Sequence, residues 1–218
     1  MLSETMSRFA GKALCLFLLA IMFLIANANA QVYNGNIILT SQAQVDNFNY
    51  ESVNGDLTIF GGDITNLSGL SGLSSVAGIL SIENNPSLSN LNGLSALQSV
   101  QENLLIQGND VLTNINGINS NVRVGVDLPV DGRIMIAENA ALASIDAFPG
   151  FATFRELVIS QNNSLANIDG LSSLAHIEIL LISNNNSLTN IDGLSNLNST
   201  WQGFNILGND ALTNMLLV

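Results

Sequence analysis

The sequence predicts an all-β fold: a right-handed parallel β-helix, or solenoid, of about eight coils of 23–24 residues, preceded by a signal peptide. Three observations predict it. A unit repeats along the chain, the head of each unit alternates apolar and other residues, and asparagines recur at two fixed places in the unit.

The repeat is plainest where "SLANIDGLSSL" (164–174) returns as "SLTNIDGLSNL" (187–197). Aligned on the first leucine of these stretches, the register runs Val45, Ile64, Leu88, Leu112, Leu142, Leu165, Leu188 and Leu212, in steps of 19, 24, 24, 30, 23, 23 and 24 residues. A fixed period of this size marks a stack in which each unit shares its core with its neighbours.

Each unit opens on a short stretch of period two: "DLTIF" (56–60), "ILSIE" (79–83), "NLLIQ" (103–107), "RIMIA" (133–137), "ELVIS" (156–160) and "ILLIS" (179–183). That pattern predicts a strand with one face buried. The rest of the unit spaces apolar residues by three, with Gly, Asn and Ser between them, which predicts tight corners and no helices. Equivalent strands would then lie side by side about 4.8 Å apart.

One asparagine column comprises Asn85, Asn109, Asn139, Asn162, Asn185 and Asn209. The other comprises Asn47, Asn66, Asn90, Asn114, Asn167, Asn190 and Asn214, with Ser144 in the gap. Both are expected to be structural ladders, closing left-handed corners and joining rung to rung through their amides.

Residues 1–30 read as a secretory signal. Arg8 and Lys12 precede the apolar run 13–25, and Ala28-Asn29-Ala30 predicts cleavage before Gln31. The run is short for a span of about 20 residues, so no membrane span is expected after cleavage. The sole cysteine, Cys15, lies inside the signal, and residues 31–218 hold three arginines against sixteen acids, hence a net charge of −13. Such a surface has no means of displacing the counterions of a nucleic acid, so nucleic acid is excluded as a partner. With one histidine, His176, and no cysteine beyond the signal, zinc sites and Ser-His or Cys-His nucleophiles lack components. No cofactor or metal is expected.

The unit "GILSIENNPSLSNLNGLSALQSV" (78–100) and the opening "GNIILTSQAQVDNFNYESVNGDLTIFGGDITNLSGL" (35–70) resemble receptor L-domain-like repeats, a β-helix relative of leucine-rich repeats found in secreted bacterial surface proteins. The resemblance spans residues 31–218. It implies a non-catalytic binding or structural module, with ligands met on the outer face of the main sheet. Two departures stand out: an insertion at 119–132, and an ending, "GNDALTNMLLV", that stops short of a full coil and reads as a fragment.

On the outer face, Leu105, Met135, Val158 and Leu181 are expected to form an apolar stripe, flanked by Ile79 and Ile179. An exposed stripe of this kind marks a binding surface. Arg123, beside Asp127 and Asp131 in the insertion, is the second candidate contact. Asp146, Asp169 and Asp192 share a column with Asn92 and Asn116. Stacked carboxylates suit calcium or a glycosidase pair, but free exchange with asparagine favours a corner role as Asx turns. His176 shares a column with Ser75, Ser99 and Thr153, which places it at an exposed corner. Arg133 is expected to pair with Glu156, and Arg155 with Glu178. Phe148, Phe151 and Phe154 take positions filled elsewhere by Leu, Val or Ile and are expected in the core.

The expected function is therefore recognition of a protein or glycan at a bacterial cell surface, through adhesion rather than catalysis. The alternatives are a spacer within a larger envelope protein and, further off, a polysaccharide-active enzyme using the acidic column. End-to-end or face-to-face association is the form of self-contact expected.

Overall fold

The computed structural model describes residues 31–125, 132–146 and 153–213. The strands, in chain order, are β1 (Val32–Asn34), β2 (Ile37–Leu39), β3 (Ser52–Asn54), β4 (Leu57–Ile59), β5 (Ser75–Val76), β6 (Leu80–Glu83), β7 (Ser99–Val100), β8 (Leu104–Gln107), β9 (Arg123–Val124), β10 (Arg133–Ala137), β11 (Thr153–Ser160), β12 (His176–Ser183) and β13 (Ser199–Leu207). All pairs are parallel. One sheet has eight strands in the order β13-β12-β11-β10-β8-β6-β4-β2, and a second has five in the order β1-β3-β5-β7-β9. Eight rungs in the long sheet mark seven successive turns of a β-solenoid.

Alternation builds the long sheet as its sequence implies. Leu57, Leu80, Leu104, Ile134, Leu157 and Leu180 form one inward column, and Ile59, Ile82, Ile106, Ile136, Ile159 and Ile182 form the next. All are essentially shut off from solvent, and they belong to one hydrophobic cluster that runs the length of the described chain. Each buried Leu or Ile contributes roughly 1.5–3 kcal/mol, so the stack holds without disulfides.

The prediction of corners without helices is corrected in four places. A short helix, α1 (Gln42–Asp46), occupies the first coil, capped by Ser41, whose hydroxyl accepts from the Gln44 amide. The signal was present: Ser41 followed three residues later by Gln44 is a capping-box pattern. Single 3₁₀ turns also form at Ser68–Leu70, Asp169–Leu171 and Asp192–Leu194.

The two asparagine columns differ in structure. Asn85, Asn109, Asn139, Asn162 and Asn185 are completely buried. Each side-chain amide donates to the Oδ1 of the next ladder asparagine, at 3.0–3.3 Å, and to an isoleucine carbonyl on the rung behind, as from Asn109 to Ile82. Each ladder residue thus ties three rungs together. In the second column the bond is local: Oδ1 of Asn66, Asn90, Asn114, Asn167 and Asn190 accepts from the backbone two residues on, an Asx turn. Asn47 instead ends α1 and donates to the Ala43 carbonyl. Asn214 lies outside the described residues.

The left-handed corner falls one residue ahead of each ladder asparagine. Asn84, Glu138, Gln161 and Asn184 have φ of 54–58°, and Gly108 and Gly208 complete the column at 66° and 63°. A non-glycine residue there carries roughly 1–2 kcal/mol of strain. Glu138→Gly and Gln161→Gly are each expected to raise stability by about 0.5–1 kcal/mol, since relief of strain exceeds the extra chain entropy of glycine. Gly108→Ala is expected to act the other way, because its Cβ would also lie 2.7 Å from Asn84 Oδ1. Urea midpoints at unchanged slope check both signs.

Candidate functional site

The outward column of the long sheet is set by strand register. It runs Ile38, Thr58, Ser81, Leu105, Met135, Val158, Leu181, Asn205, each residue directly beside the next. Leu105, Met135, Val158 and Leu181 therefore form an unbroken apolar ridge over four strands, about 14 Å long at the spacing of paired strands.

Their exposure departs from the expectation of an open stripe. Leu105, Met135 and Leu181 are half-buried, and Val158 is only 5% exposed. The reason is the stacking itself: side chains this close shade each other, and short Val158 lies between longer Met135 and Leu181. Ile79 and Ile179 are half-buried and share the adjacent outward column, but three rungs separate them, carrying Asn103, Arg133 and Glu156. Ile179 widens the ridge beside Leu181, whereas Ile79 stands beside Ser81.

The ridge has polar margins. On one side Arg133 Nε lies 3.4 Å from Glu156 Oε1, and Arg155 Nε lies 3.4 Å from Glu178 Oε2. Gln202 extends the second pair by donating to Glu178 at 3.0 Å. Both pairs are partly exposed, so each contributes well under about 1 kcal/mol. On the other side lie Glu83, Gln107, Ser160 and Ser183, with the buried apolar Ala137 between Gln107 and Ser160.

The other candidates fall elsewhere. Arg123 is not in an insertion: it belongs to β9 and pairs with Ser99, and its amide donates to the Gln98 carbonyl. The coil is regular through Gly125 and resumes at Gly132, so the six extra residues are 126–131, not 119–132. Asp127 and Asp131 lie outside the described residues, as do Phe148 and Phe151; of Phe154 only the backbone is described, in register with Ile177. Asp146, Asp169 and Asp192 are exposed. The Asx-turn acceptors are Asn167 and Asn190, while Asp169 and Asp192 supply only the backbone N–H. Among the described residues no three His, Cys, Asp or Glu side chains gather as metal ligands. His176 is exposed, and its Nδ1 meets the Ser199 hydroxyl at 2.8 Å.

Sequence reasoning missed where the exposed large apolar residues are. Among the described residues they are Val32, Ile38, Phe60 and Val111, and three on β13: Trp201 at 72%, Phe204 at 37% and Leu207 at 60%. The signal was in the register. From Ile177 and Ile179 on β12 the partners jump from Thr200 to Gly203, a bulge opposite Glu178 that lengthens the final step to 24 and contains Trp201.

Compared with known proteins, the chain matches no family model, no curated protein and no solved structure.

Proposed function

We propose that this β-solenoid is a non-catalytic module, exported and held at a bacterial cell surface, that recognises a protein or glycan partner through the outward face of its long sheet. The observation that carries the reading is the ridge Leu105–Met135–Val158–Leu181, in register on four adjacent strands and bordered by the Arg133–Glu156 pair. A soluble protein has no folding reason to place four large apolar side chains on the outer face of a sheet. A parallel sheet in continuous register holds them at fixed spacing, which lets a partner meet a preorganised surface. The receptor L-domain resemblance supports the same face, and the signal sequence supports export.

A spacer is the second reading, favoured by the unbroken ladder from Asn85 to Asn209, which stiffens the stack along its axis. The two readings separate in one experiment. Wild type, Leu105→Asp and Leu181→Asp are compared on a printed glycan array and on intact cells of the producing organism. Val158→Asp is a poorer choice, because that side chain is nearly covered. Loss of binding by at least about tenfold in folded variants is expected. Unchanged binding by both would reject the ridge, and no binding by the wild type would leave the spacer.

A further inference from the structure

We propose that the occupant of the Leu105–Met135–Val158–Leu181 ridge is a basic protein, apolar at the centre of its contact surface and carrying lysine or arginine at the rim. The inference rests on the ridge being the binding surface. That surface lies on β8, β10, β11 and β12, each paired on both edges, so the face is complete across all four strands.

Hydrogen-bonding capacity separates a protein from a glycan. Leu105, Val158 and Leu181 offer neither donor nor acceptor, and the Met135 thioether is only a weak acceptor. A sugar hydroxyl pressed onto these side chains leaves water without gaining a partner, at a cost of about 1–3 kcal/mol. The outward columns on either side carry Asn103, Arg133, Glu156 and Ile179, and Gln107, Ala137, Ser160 and Ser183, so no aromatic face is at hand for a sugar ring. Apolar protein surface meets no such penalty and gains about 25 cal/mol for each Å² buried. Methionine at the centre and arginine at the margin also match the composition of protein interfaces.

Charge then selects the kind of protein. The pairs Arg133–Glu156 and Arg155–Glu178 cancel at the margin. Left over are Glu83, in the column that continues to Gln107, and Glu102 and Glu138, at the corners before β8 and after β10. Among the described residues none of these three has a basic partner. With a net charge of −13 beyond residue 30, the field over this face draws in cations. A second copy of this chain would bring the same excess of acid to the contact, which disfavours ridge-to-ridge dimers.

The probe is a synthetic amphipathic helical peptide with leucines on one face and lysines flanking them, titrated by fluorescence anisotropy against the full chain as purified after export. One control peptide carries glutamate for every lysine, and another has the same composition with its leucines scattered round the helix. The lysine peptide is expected to bind at least about tenfold more tightly than either control, with an affinity that falls as salt rises. Leu105→Asp and Leu181→Asp should each weaken it by at least about tenfold, although each adds the charge that would strengthen a purely electrostatic contact. Glu83→Gln and Glu138→Gln should each weaken it about two- to fivefold, with circular dichroism unchanged in all four variants. Equal binding of the lysine and glutamate peptides, lost in the ridge variants, overturns the basic partner and leaves the ridge standing. Binding of a printed glycan that the ridge variants abolish does the same to the choice of protein. A lysine peptide that binds both ridge variants as well as wild type removes the ridge itself, and one that does not bind wild type overturns the basic partner.

Discussion

Gly93→Ala is expected to destabilise the solenoid by about 3 kcal/mol or more, whereas Gly72→Ala, in the same stretch of chain, leaves it unchanged or slightly more stable. Gly69, Gly93, Gly117, Gly170 and Gly193 occupy one column, the glycine of the recurring "NIDG" corner. A Cβ at Gly93 would overlap the Leu67 carbonyl of the rung behind, and the other four meet backbone atoms of Val45, Leu91, Ile145 and Ile168 in the same way. Backbone cannot rotate aside as a side chain can, so the rungs would have to part against the hydrogen bonds that fix their spacing. Around Gly72 nothing lies within 4 Å, and alanine there only restricts the unfolded chain, a gain of about 0.4–1 kcal/mol. Because each rung touches only its neighbours, damage at Gly93 should appear first as lost amide protection in β4, β6 and β8, with β11–β13 following. Urea denaturation with hydrogen exchange tests this. Equal stability of the two variants would mean that the close approach of the rungs is not what requires glycine.

That glycine column shows how far the sequence could be read. Its recurrence was visible, and so was the stack, because spacing alone puts like residues over like. The cause was not visible, since the obstructing atom belongs to residues some 25 positions earlier and carries no side-chain signature. The ladder asparagines and the Asx-turn asparagines looked alike for a related reason. Both recur once per coil, and only burial separates Asn109, tied to three rungs, from Asn114, bonded to the amide of Asn116. On the outer face the phase was legible and the exposure was not. Whether Leu105 and Val158 are open depends on how long their neighbours in the column are, which strand alternation does not report. Exposed Trp201 falls in a one-residue bulge, between Thr200 and Gly203, a departure from the repeat that a consensus unit smooths away.

The second large effect concerns the ladder. Asn109→Asp is expected to cost at least about 4 kcal/mol, and Asn109→Leu about 3 kcal/mol. The Asn109 amide nitrogen faces three acceptors, the carbonyls of Ile82 and Gln107 and Oδ1 of Asn139, at 2.9–3.2 Å. An aspartate has the same shape but turns an anionic oxygen toward all three in a site closed to water. Leucine removes the charge problem but takes this donor from the Ile82 carbonyl and strands the Asn85 backbone N–H, which donates to Asn109 Oδ1; Asn139 Oδ1 and the Gln107 carbonyl keep the backbone amides of residues 109 and 84 as donors. Asn85→Leu should cost less than Asn109→Leu. The ladder starts at Asn85, because the preceding coil has Gly61 in its place, and Asn85 Oδ1 accepts no bond. Its loss therefore strands acceptors but no donor. Asn190→Ala should cost least, about 0.5–1 kcal/mol, since its turn is open to water. The order Asn109→Asp, Asn109→Leu, Asn85→Leu, Asn190→Ala, from most to least destabilising, separates hydrogen bonding from packing. If Asn109→Leu were as stable as wild type, apolar stacking alone would hold the rungs in register, and the buried amides would be passengers in the core.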